Sequence, residues 1–383
     1  MHDIGPIFEI MRNEVAMGPI HIKEISEKGI PIIGTYCTYT PWELINAAGG
    51  IPVSLCSTSE KPIGEAEKHL PRNLCPLIKS SYGHALTDTC PYFHFCDMVL
   101  GETTCDGKKK MYEYLREIKE TYVMQLPQTV NGLNSMKMWK DEILLLKDFL
   151  ESKFNVEITG EKLSASIKQR NEIHSTMMGF YSLASLPSPV LTGKEIMLGS
   201  DYLKFSFDYE RTMEVIRDLT LKLKENYASG ERRIDPSAKR ILITGCPMGK
   251  SLEKIVDAIE SKENGGVVVG FENCGNLKCS SSLVDEYSDP IDAIADKYLN
   301  IPCSVMSPNS KRLELIKKYV KEYRADGVID VILQACHTYA VETRSVREFL
   351  NRSGIPYMAV ETDYSQGDTG QLATRFGAFI EML

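Results

Sequence analysis

The sequence predicts an α/β fold: two doubly wound, Rossmann-like parallel-sheet domains, 1–133 and 237–383, joined by a helical connector or subdomain, 134–236. Two patterns carry this. At both ends of the chain, short apolar runs of strand length alternate with segments of helical period, the signature of βαβ units. Between them the apolar spacing is helical throughout, at i, i+3 and i+4. A third observation concerns the strand ends, where cysteine recurs.

Taken in order, residues 1–28 read as a short amphipathic helix and lead-in, with Gly29 and Pro31 ahead of the first strand. IPIIGTYC is a strand, and TPWELINAAGG a helix opened by Pro41 and stopped by Gly49 and Gly50. IPVSLC (51–56) is a strand, and a helix opens near Pro76. DMVLGE (97–102) is a strand, KKKMYEYLREIKE (108–120) a helix and TYVMQLP (121–127) a strand. The segments SMKMWKDEILLLKDFLESKF, GEKLSASIKQRNEIHSTMMGFYSLA and TMEVIRDLTLKLKENYASG are helices of the connector, and DPSAKR (235–240) is a linker. The second alternation runs ILITGC, KSLEKIVDAIESK, GGVVVGFENC, two helices (DPIDAIADKYLN and KRLELIKKYVKEYRA), VIDVILQAC, a helix, IPYMAVETD and a last helix.

At 383 residues the chain exceeds one ordinary core, and 43% hydrophobic with 25% charged residues is ordinary globular composition. The net charge of −8 gives no basic surplus to neutralise phosphates, which argues against nucleic acid as the main partner. The N-terminal MHDIGPIFEIMRNEV has no apolar signal region, and no run is long and apolar enough for a membrane span. The expected location is the cytoplasm, where thiols stay reduced and serve metals or catalysis.

Five of the eleven cysteines close a predicted strand: Cys37, Cys105, Cys246, Cys274 and Cys336. In doubly wound sheets ligands sit beyond the carboxyl ends of the strands. Thiols delivered there from both lobes point to one metal site in the cleft between them, and iron–sulfur clusters are the commonest use of such a set. Cys75, Cys90 and Cys246 each precede a proline. A sulfur just before a helix-opening proline faces free N–H groups that favour thiolate. Cys56, Cys96, Cys279 and Cys303 read as packed thiols, since free cysteine commonly serves as a small hydrophobe. No CxxC occurs, which counts against zinc ribbons and thioredoxin-like chemistry. Candidate proton sources are His337 beside Cys336, Glu272 two residues before Cys274, and Lys108 to Lys110 beside Cys105. Each has a plainer use: a capping histidine, a loop acid, a solvated helix face. GCPMGKS fails the phosphate-loop spacing, so nucleotide binding there is discounted.

The motifs IGTYCTYTPWELINAAGGIPVSLC, NLCPLIKSSYG, GETTCDGKKKMYEYL, ITGCP, FENC and ILQACHTYAVE resemble the 2-hydroxyacyl-CoA dehydratase / benzoyl-CoA reductase superfamily, over essentially the full length. Within it they resemble the double-cubane cluster proteins. The resemblance implies that Cys75, Cys105 and Cys336 hold one four-iron cubane. The double-cubane branch adds three thiolates, for which Cys37, Cys246 and Cys274 are the positional match and Cys90 the reserve. It further implies an 8Fe-9S cluster, a homodimer, a small-molecule substrate and a separate ATP-hydrolysing iron–sulfur activator as electron donor. Two other readings stay open: a 2-hydroxyacyl-CoA dehydratase subunit with a single 4Fe-4S cluster, and a non-catalytic electron-storage protein.

Overall fold

The computed structural model describes residues 1–383, apart from the side chain of residue 250. It has two four-stranded, wholly parallel sheets. The first runs β2-β1-β3-β4, with β1 at Ile32–Thr35, β2 at Ile51–Ser54, β3 at Met98–Glu102 and β4 at Thr121–Met124. The second repeats that order as β6-β5-β7-β8, with β5 at Lys239–Gly245, β6 at Gly266–Glu272, β7 at Gly327–Leu333 and β8 at Tyr357–Thr362. Ile33 aligns with Pro52 and Met98, and Ile243 with Phe271 and Ile329. The α/β class and the two parallel sheets agree with the sequence expectation.

Parallel strands are covered on both faces, so they need near-continuous apolar runs. All seven residues of β7, GVIDVIL, are buried. Its one carboxylate, Asp330, accepts a hydrogen bond from the Tyr357 hydroxyl at 2.8 Å. The strand order places the reversal of winding between β1 and β3, and again between β5 and β7, so each sheet opens a crevice there.

The first helix, Gly5–Glu27, is longer than the short one expected and carries Pro19 inside it. It lies against helix Gly193–Phe205, whose start is fixed by a capping box between Thr192 and Glu195. The connector is helical: Ser135–Phe154, Gly160–Tyr181, Gly193–Phe205 and Tyr209–Ala228. Helix Pro290–Leu299 belongs by sequence to the second alternation, yet it docks on Ser135–Phe154. Its Ile294 and Leu299 share a core with Ile33 and Leu100 of the first lobe and Trp139 of the connector. The loop that follows is tied there too, because Tyr39 donates its hydroxyl to the Ile301 carbonyl at 3.0 Å.

Gly245 ends β5 at φ +128°, and a Cβ there would sit 2.0 Å from the Val331 carbonyl oxygen. Only glycine fits that turn. Gly245→Ala is expected to cost about 3 kcal/mol, combining a strained backbone with an overpacked contact, as measured by urea unfolding.

Candidate metal centre

A cavity of about 740 Å³ is lined by residues that follow β1, β2, β3, β5, β6 and β7. It therefore lies at the carboxyl edges of both sheets. Eight of the eleven cysteines line it, and all eleven are free thiols.

Three of them start helices. Cys75 caps Pro76–Thr87, Cys105 caps Asp106–Leu115 and Cys336 caps His337–Arg352. The neighbouring Cys336 thiol, and then burial, hold the Cys75 thiol well above its ordinary value, while the N–H groups of Leu77 and Ile78 oppose them. Cys246, behind Cys336, pushes the Cys336 thiol up in turn. Thiols bind a metal as thiolates, and the bound cation then supplies the compensating charge.

A second triad faces the same cavity: Cys37 after β1, Cys274 after β6, and Cys303 in the crossed-over loop. Cys274 is within electrostatic range of both Cys303 and Cys37, and Cys303 of Cys37. Cys303 hydrogen-bonds to Cys274 and lowers its pKa, burial resists, and Lys278 lowers it further. Cys303 itself is driven up, first by the Cys274 sulfur and then by burial.

Beneath this triad lies a sealed charge network. The Lys278 ammonium donates to the Tyr339 hydroxyl at 3.0 Å. That hydroxyl stands 3.9 Å from the Cys274 sulfur and 4.0 Å from the Cys303 sulfur. Lys278 and Arg312 both pair with Glu272, at 3.0 and 3.2 Å, and all three side chains are 0% exposed. Arg312 also pairs with Glu342. Two buried cations thus stand behind the thiols, on one shared carboxylate.

The remaining predicted residues separate clearly. Cys246 does not itself line the cavity: its sulfur accepts the Leu333 N–H at 3.0 Å and stands behind Cys336, to which it hydrogen-bonds. Cys90 caps a short helix, Pro91–Phe95, outside the cavity. Cys96 is packed as expected, but Cys56, Cys279 and Cys303 line the cavity instead of serving only as core. Lys108 lines it as well, 9% exposed, with its ammonium donating to the Tyr36 carbonyl at 2.6 Å. Lys109 and Lys110 face solvent and pair with Asp106 and Glu113. His337 is exposed at the cavity edge. Glu272 is not at that edge; it is the counter-ion of Lys278 and Arg312. Sequence reasoning missed Lys278 and Cys303. A lysine between two cysteines in NCGNLKCS was the available signal for the first.

Among the described residues no three His, Cys, Asp or Glu side chains close around a single metal ion. Ligands of a cubane bind different irons and stand a cluster's width apart, so a wide thiol-lined cavity is the geometry that a polynuclear group needs.

The chain is similar to known proteins over its full length. The family model described as 2-hydroxyglutaryl-CoA dehydratase, D-component, matches residues 37–383. YjiM of Escherichia coli (strain K12), which carries a provisional dehydratase-subunit name, is 50% identical over 382 residues, covering 100% of this chain and 99% of that protein. The beta chain of (R)-phenyllactyl-CoA dehydratase from Clostridium sporogenes is 26% identical over 381 residues, 94% of each chain. A benzoyl-CoA reductase chain from Thauera aromatica is 24% identical over 287 residues, 70% of this chain and 64% of that one. The chain belongs to the 2-hydroxyglutaryl-CoA dehydratase D-component family.

Proposed function

We propose that this chain is an iron–sulfur reductase that binds an 8Fe-9S double-cubane cluster in its thiol-lined cavity. Cys75, Cys105 and Cys336 would hold one cubane, and Cys37, Cys274 and Cys303 the other. Cys303 replaces Cys246 in the set read from sequence, because the Cys246 sulfur is engaged by the Leu333 amide and does not line the cavity. The observation that carries the reading is two thiol triads, from both lobes, on one cavity. When bound, the cluster supplies low-potential electrons.

The chain's own residues do the rest. Helix N-termini behind Cys75, Cys105 and Cys336 stabilise thiolate charge. Lys108 and Lys278 place positive charge against the two triads. His337, at the solvent edge, carries protons inward. Electrons come from a separate ATP-hydrolysing iron–sulfur activator, the working unit is a homodimer, and the setting is the cytoplasm. Among the described residues no helix is long and apolar enough to cross a membrane.

Protein purified without oxygen is expected to be brown and to hold roughly eight irons per chain, the count for two thiolate-bound cubanes. Iron and sulfide analysis checks this; roughly four irons would support the second reading instead. That second reading, a dehydratase subunit with a single 4Fe-4S cluster, is favoured by the dehydratase names of the relatives. Calorimetry with a 2-hydroxyacyl-CoA separates the two: clear binding supports dehydration, and its absence supports reduction of a smaller molecule.

A further inference from the structure

The fully buried cations beside the cavity are satisfied, and a half-buried one is not: Lys278 and Arg312 share Glu272, and Lys108 donates to the Tyr36 carbonyl. Arg170, on helix Gly160–Tyr181, lines the cavity and makes no ion pair among the described residues. Its Nε is buried with no hydrogen-bond partner.

Its geometry is nevertheless fixed. The guanidinium lies 5.2 Å from the centroid of the Trp42 ring. Trp42 is 5% exposed, is met edge-on by Tyr209 at 5.5 Å, and donates its backbone N–H to the Tyr298 hydroxyl at 3.1 Å. A planar cation held over an anchored aromatic, with its Nε unpartnered, is a preorganised fork for a planar anion. A second group in the cavity is equally unfilled. Asn276 is 5% exposed; its Nδ2 donates to Ser200 Oγ at 2.6 Å, but its Oδ1 is buried with no donor. Buried polar groups are expensive to leave unpaired, so partners are expected from whatever occupies the cavity.

We propose that Arg170, stacked on Trp42, binds the carboxylate of a small substrate, and that Asn276 Oδ1 accepts a hydroxyl or amine hydrogen. The substrate class is then a small free carboxylic acid bearing one such donor, and not a neutral molecule. Lys204 adds a second positive charge: it lines the same cavity, reaches Gly275, and is paired with Asp201 only at 3.4 Å. This deepens the reductase reading and rests on it for the chemistry, though not for the binding.

The test uses the anaerobic full-length protein, with iron measured in every preparation. Lactate and its neutral analogue lactamide are titrated calorimetrically into wild type, Arg170→Gln and Arg170→Lys. Lactate affinity is expected to fall about tenfold or more in Arg170→Gln and less in Arg170→Lys, the scale of a lost charge-assisted hydrogen bond. Lactamide should bind wild type more weakly than lactate does and be indifferent to the substitution. The proposal is overturned if wild type binds no lactate, or if Arg170→Gln binds it as wild type does. It is also overturned if Arg170→Gln shifts the cluster's midpoint potential while lactate affinity stands, because Arg170 would then be a charge partner of the cluster. Wild-type protein without iron would sink the cluster reading and leave the binding result to stand or fall alone.

Discussion

Cys303→Ala is expected to strip about half of the bound iron, from roughly eight to roughly four per chain, whereas Cys246→Ala keeps it. The pair is decisive because the two thiols are equally buried, at 4% and 3% exposure, and each touches a proposed ligand, but only Cys303 lines the cavity. Cys303 lines the cavity, within electrostatic range of Cys37 and in contact with Cys274. A cubane that loses one of three protein thiolates has no spare ligand on that side: Cys279 donates to the Cys274 carbonyl and to or from Thr38 Oγ1 at 2.7 Å. Cys274→Ala should therefore behave as Cys303→Ala does. Cys246→Ala removes the sulfur that accepts the Leu333 amide and stands behind Cys336, a stability loss of about 1–2 kcal/mol with the iron retained. Iron analysis and the visible spectrum of anaerobic samples read the result. If Cys246→Ala loses iron and Cys303→Ala does not, the second triad is the one expected from sequence.

That Cys303 and not Cys246 lines the cavity shows what the sequence can and cannot carry. Strand alternation is local, so both sheets and the thiols just past their ends were legible from periodicity. Helix-capping thiols were legible too, because Pro76, Asp106 and His337 mark the first turn beside Cys75, Cys105 and Cys336. The direction of a side chain after a strand is not local. At Gly245 the backbone takes φ +128° and doubles back on β7, with the Cys246 N–H donating to the Val331 carbonyl at 3.2 Å. That turn sets the sulfur behind Cys336, one layer back from the cavity lining. Cys303 follows no strand. It reaches the cleft because helix Pro290–Leu299 crosses to the other lobe and is held there by Tyr39 and Trp139, contacts more than a hundred residues apart in the chain. The burial of Glu272 is non-local too: Arg312 comes from 40 residues further on, and only the fold shows the carboxylate sealed between it and Lys278.

Glu272→Gln is expected to destabilise the folded protein by about 3–5 kcal/mol, the cost of leaving buried charge uncompensated. Lys278 loses its only ionic partner among the described residues, and Arg312 keeps Glu342 alone. The amide preserves the shape, so packing is not the cause; the lost charge is. The urea midpoint of the anaerobic protein should fall with an unchanged slope, since the surface exposed on unfolding is the same. The loss should persist at high salt, because a pair with no solvent exposure is hardly screened. A proton source at this position would give the opposite pattern, with turnover abolished and the midpoint unmoved. The network also explains why three charges occupy a site where apolar residues would often be as stable. Lys278 lowers Cys274 through space and reaches Tyr339, whose hydroxyl stands beside both sulfurs. Its positive charge has to be kept in a dry interior, and Glu272 is what keeps it there.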